Sequence, residues 1–165
     1  MSPGLRTLVF VLIVHGALLT AIPAAVLFSG LAFFPMPSFR GYRETAALAA
    51  LAGAVIYAAC IWDFVFIGRG TPAVWDPPKH FVRSGPYRVM RNPMYAGMFV
   101  LVAAEAFLWR SSALVVYLAV LMLVLQAFVL FLEEPALKRT FGEPYLEYCR
   151  RVPRWLPRFS AKKRQ

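Results

Sequence analysis

Two adjacent carboxylates, Glu133 and Glu134, close the last long apolar stretch of the sequence, a place ill suited to acids. Side by side they repel each other, and both oppose the negative C-terminal end of the helix they terminate. Either they are a solvated helix end, or one of them holds a cation or the hydroxyls of a ribose. A second group, Arg91-Asn92-Pro93-Met94-Tyr95, opens the third apolar stretch. Pro93 suits a first helical turn and restricts Asn92 toward extended backbone. The first-turn amides are then free for an anion such as a carboxylate. The rings of Tyr87 and Tyr95 can pack over a cationic ligand. The plain alternative is an interfacial belt of Arg and Tyr.

Other polar residues point less clearly to chemistry. His15 and Gln126 lie inside apolar stretches and are expected to be satisfied within a helix bundle. Asp63 is expected to pair with Arg69 or another basic residue, and Glu105 with Arg110. Gly68-Arg69-Gly70 reads as a turn, since no strand precedes it and it is too short for a nucleotide fingerprint. The spacing of Cys60 and Cys149 supports neither a disulfide framework nor a metal site.

The elements that must position these residues are membrane helices. Sixty per cent of the chain is hydrophobic and 16% charged. Four apolar blocks, about 8–34, 45–67, 94–109 and 113–132, are too continuous for a soluble core. The first, about 40 Å long as a helix, exceeds the ~30 Å hydrocarbon core, and Pro23 should kink it. It is also too long for a cleavable signal peptide and lacks a cleavage region. Between the second and third spans lies a connector, 68–93, rich in Pro, Gly and basic residues, which reads as one wall of a binding site. The tail, 133–165, is expected to hold a helix opened by Pro135 and closed by Gly142. A second, from about Pro144 to Arg151, places Tyr145 and Tyr148 on one face. A basic end, Lys162-Lys163-Arg164, follows and is expected to lie against lipid headgroups.

With both termini cytoplasmic, fifteen of the eighteen Lys and Arg residues fall on the cytoplasmic side. The net charge of +10 is therefore read as topology and lipid attraction, not nucleic-acid binding, for which no motif appears. The expected architecture is an all-α integral membrane protein of about four spans, a single domain over 1–165, in the cytoplasmic membrane.

The segments SGPYRVMRNPMYAG and, about forty residues on, EEPALKRTFGEPYLEYCRRVPRWLP resemble the isoprenylcysteine carboxyl methyltransferases and the related phospholipid methyltransferases. The resemblance covers about Gly68 to Pro157. It implies S-adenosylmethionine bound without a Rossmann domain, by the connector and the acidic pair. Carried over residue by residue, cofactor contacts come from Lys79, His80, Phe81, Val82, Tyr87, Asn92, Pro93, Met94, Tyr95 and Glu133. A lipophilic or lipid-linked carboxyl, thiol or amine acceptor would enter from the bilayer, and no metal is implied. Glu134 is the base nominated for an amine acceptor. The family often has His where this chain has Asn92. The substrate-binding Arg of the eukaryotic enzymes falls on Val129, leaving Arg88 or Arg91 as its replacement. Two alternatives stand beside this reading. One is an NADPH-dependent reductase of the sterol-reductase type, disfavoured by an acidic pair beside a phosphorylated dinucleotide. The other is a non-catalytic membrane subunit, which Asn92 and Val129 would suit.

Overall fold

Long runs of Leu, Val, Ala and Phe with little interior charge favour helices that satisfy their own backbone groups and present apolar side chains all round. A computed structural model describes residues 3–73 and 78–157, and among them there is no β-strand. Three helices are long and apolar enough to cross a membrane: α1 (Gly4–Phe28), α2 (Tyr42–Gly68) and α4 (Ser112–Phe141). Between the last two lies α3 (Pro93–Leu108), only 16 residues long, and the chain closes on α5 (Glu143–Arg151). The basic run Lys162-Lys163-Arg164 lies outside the described residues.

The N-terminal segment, the connector and the tail share one end of the molecule. Thr7 Oγ1 donates to the carbonyl of Gly70 (2.8 Å), and the amide of Arg91 donates to the carbonyl of Pro153 (2.9 Å). At the other end, the chain between α1 and α2 meets the α3–α4 turn. There the amide of Phe33 donates to Ser112 Oγ (2.8 Å), and Arg110 Nη2 donates to the carbonyl of Met36 (3.0 Å).

Two helix boundaries depart from expectation, and proline explains the second. The first helix ends at Phe28, not near 34, and residues 31–41 are irregular up to Gly41, whose φ of 85° is open to glycine without strain. The last span does not stop at Glu133-Glu134-Pro135. A single wide turn, Val129–Glu133, carries the helix through to Phe141. Pro135 cannot donate to the carbonyl of Phe131, and its ring would crowd that carbonyl in a regular helix. A wider π-type turn relieves the clash. The same device, Ala17–Ala21, precedes Pro23 in α1.

Packing between α2 and α3 is backbone on backbone. A Cβ on Gly53 would sit 3.0 Å from the carbonyl oxygen of Gly97, and one on Gly97 would sit 3.1 Å from that of Gly53. Small residues at such a crossing let dispersion act over the whole contact. Beside it Cys60, Val82, Tyr87 and Met94 form one buried cluster; Val102, Leu121 and Leu125 form another against Leu18, Tyr95 and Phe99. The outward faces stay apolar, with Leu123 71% and Phe131 75% exposed, as lipid contact requires.

Candidate functional site

At the shared end, connector and tail enclose a cleft of ≈ 700 Å³, its open mouth included. Phe64, Phe81, Tyr87, Tyr145 and Tyr148 give it an aromatic wall, and Arg91, Asn92, Glu133 and Glu134 supply its polar groups.

Tail packing builds the wall. The amphipathic helix α5 buries Tyr145 and Tyr148, as their spacing predicts, with Val152 against the ring of Phe81. Phe81 lies 5.2 Å from Tyr148 and 5.7 Å from Tyr145, both edge to face. The Tyr148 hydroxyl donates to the carbonyl of Tyr87 (2.6 Å), tying α5 to the connector. Tyr87 itself is buried, and that burial, with Cys60 and Glu133 nearby, raises its phenol well above the ordinary value, so it stays neutral.

The connector is held from below by Asp63. Its carboxylate accepts a hydrogen bond from Ser84 Oγ (3.1 Å), a hydroxyl where a basic partner such as Arg69 was expected. Gly85, at φ 49°, passes so close that a Cβ there would lie 2.6 Å from Asp63 Oδ2.

The two acids have different partners. Glu133 Oε2 accepts from the Tyr95 hydroxyl (2.8 Å), a neutral donor. Glu134 meets two cations: Arg154 donates from Nε (2.8 Å) and Nη2 (3.0 Å), and Arg91 Nη1 lies 3.0 Å from Oε1. That pairing raises the Arg154 guanidinium above its ordinary value. Arg91 Nη1 also approaches Cys149 Sγ (2.9 Å), while its Nε is buried with no hydrogen-bond partner among the described residues.

The expected cofactor residues separate by position. Phe81, Val82, Tyr87, Asn92 and Glu133 line the cleft, as do Arg91 and Glu134. Lys79 and His80 are exposed and lie off its wall. Pro93 is the first residue of α3, and Met94 packs in the α2–connector core. Tyr95 turns its ring into the helix bundle and reaches the site through its hydroxyl. Asn92, with φ −121° and ψ 52°, is short of fully extended; its side-chain amide donates to the carbonyl of Arg154 (3.3 Å).

Sequence reasoning missed Arg154 and Trp155. Trp155 Nε1 donates to Gln126 Oε1 (2.6 Å) and its ring lies 5.7 Å from that of Phe99. Residues 153–155 therefore form a strap that ties the tail to Arg91, Asn92, Glu134 and Gln126. The available signal was Gln126, a lone amide inside an apolar helix that needs a partner. His15 finds its own within the bundle, at the Tyr57 hydroxyl.

The donor set fits S-adenosylmethionine by its chemistry. Aromatic faces and a carboxylate suit a sulfonium and an ammonium, and a cation with an unused N–H suits a carboxylate. Among the described residues no group of His, Cys, Asp and Glu could hold a metal ion.

Residues 42–144 match the family model for phospholipid methyltransferases. The chain is also similar to the nickel-cobalt-cadmium resistance protein NccN of Alcaligenes xylosoxydans xylosoxydans, at 33% identity over 79 residues. That alignment covers 48% of this chain and 37% of NccN, so the chain spans well under two thirds of that relative.

Proposed function

This chain belongs to the phospholipid methyltransferase family, and from that premise we propose that its cleft binds S-adenosylmethionine and methylates a lipophilic or lipid-linked acceptor at the cytoplasmic membrane face. The observation that carries the reading is the convergence of the connector and the acidic pair, some forty residues apart in sequence, on one aromatic cleft. The cofactor, when bound, supplies a methyl group on a cationic sulfur to a nucleophile.

The chain's own residues bind and orient. Glu133, held by Tyr95, is assigned to the cofactor's positive or hydroxyl-bearing groups. The free Nε of Arg91 is assigned to an anion, a carboxylate of the cofactor or of the acceptor. Phe81, Val82, Tyr87 and Asn92 complete the contacts, and the aromatic wall excludes water. Positioning of this kind accounts for much of the rate of a transfer between two bound molecules. Glu134, engaged with Arg91 and Arg154, is assigned to positioning them, not to taking a proton.

The test is ligand binding by the purified protein in detergent. Saturable binding of S-adenosylmethionine but not NADPH, weakened on the order of tenfold by Glu133→Gln, is expected. Binding of NADPH alone would move the protein to the reductases, although two acids at the cleft oppose a phosphorylated dinucleotide. A folded sample that binds neither would leave a non-catalytic membrane subunit.

A further inference from the structure

The end of the molecule opposite the cleft holds a second cavity, between α1 and the last turn of α3. It encloses ≈ 970 Å³, mouth included, and is walled by Pro23, Ala24, Leu27 and Phe28 of α1 with Glu105 and Trp109 beside them. All but Glu105 and the Thr20 hydroxyl at its margin is apolar or aromatic. Glu105 is the anomaly. Its Oε2 is buried and has no hydrogen-bond partner among the described residues.

The nearby donors are already engaged. Arg110, the partner expected from sequence, adopts φ 50° and turns its guanidinium to the carbonyl of Met36 (3.0 Å). Thr20 Oγ1 donates to the carbonyl of Gly16 (2.5 Å), and the Tyr117 hydroxyl donates to that of Leu18 (2.8 Å). An acid inside an apolar helix bundle is costly unless it has a partner, and among the described residues Oε2 has none. The rest of the cavity limits the chemistry of a partner. Its walls suit an alkyl chain, and Phe28, 91% exposed, continues them out into lipid. The indole of Trp109 suits a cation at interfacial depth.

We propose that this cavity binds the primary ammonium headgroup of a membrane amphiphile, with Glu105 accepting its N–H and the chain lying along Leu27 and Phe28. The carboxylate favours an ammonium over a neutral hydroxyl by charge. A headgroup held here is at the wrong end of the molecule for methyl transfer, so it acts as a clamp. That suits α1, of whose most apolar window only 11% is buried by protein. The inference does not depend on the reaction at the cleft.

The experiment is native mass spectrometry of the full chain released from detergent, with dodecylamine, dodecanol and dodecyltrimethylammonium as competing probes. One dodecylamine retained per chain in preference to the other two is expected, with retention falling on the order of tenfold in Glu105→Gln. Ala24→Trp, which fills the cavity and keeps the acid, should abolish retention. Thermal melts and circular dichroism identify any variant that fails to fold. Equal retention of dodecanol, or dodecylamine retained undiminished in either folded variant, overturns the proposal. Preference for the trimethylammonium probe overturns the assignment of an N–H donor to Glu105.

Discussion

Glu133 touches a phenol and Glu134 touches two guanidinium groups, so substitutions at these neighbours should have opposite signatures. Gln at 133 can still accept from Tyr95, and the fold should be nearly unaffected while cofactor binding falls. Ala at 134 leaves Arg91 and Arg154 without the acid they share, and because Arg154 is 31% exposed the cost should fall at the low end of the ~3–5 kcal/mol for a fully buried pair. Arg154→Ala leaves Glu134 its second cation and should cost less, about 1–3 kcal/mol. Denaturant melts of the three variants in one detergent measure this ranking. A Glu134→Ala protein as stable as the parent would refute the structural role assigned to that acid. The acidic pair stood out in the sequence because adjacent acids at the end of an apolar run are electrostatically odd. The division of labour between them did not. It depends on Arg154, twenty residues on, in a stretch whose irregular backbone carries no periodic signal. Val129, the position onto which the resemblance carries the substrate-binding Arg expected of the eukaryotic carboxyl methyltransferases, is fully buried.

Helices were the easiest elements to read, since an apolar run beyond twenty residues has few other fates. Three of them are long enough to span, and the reading of α3 as a fourth, shorter span remains our proposal. Apolar composition alone carries α1 on to about residue 34, although the backbone is irregular beyond residue 30; α4 was expected to stop at Glu133-Glu134-Pro135, where one wide turn lets the helix pass through. Hydropathy was also silent about Gly53 and Gly97, which look like ordinary small residues in apolar runs yet fix how closely α2 and α3 approach. Gly97→Leu forces backbone apart where a Cβ already meets a carbonyl at 3.1 Å. It should cost about 1–3 kcal/mol, read as a lowered melting temperature. Leu123→Ala, on a lipid-facing surface, should change it little. Equal melting of the two variants would mean that this crossing is looser than its geometry indicates.

Across the whole molecule, the site belongs to no single segment. α1 touches the connector through Thr7, the connector touches the tail through Tyr148 and Arg91, and the tail returns to α4 through Trp155. A chain ending at Val152 keeps every long helix but loses the strap. It should insert and show the parent's circular dichroism, yet bind S-adenosylmethionine at least tenfold more weakly. Undiminished binding would show that the strap is dispensable. The strap also bears on the order of events at the ribosome. Residues 153–155 are translated after all the long helices, so the growing polypeptide enters the bilayer with its cleft unfinished. On that reading, a nascent chain captures cofactor poorly while its helices are still finding one another. Competence arrives late and abruptly, when Arg154 reaches Glu134 and the last tryptophan seats on Phe99.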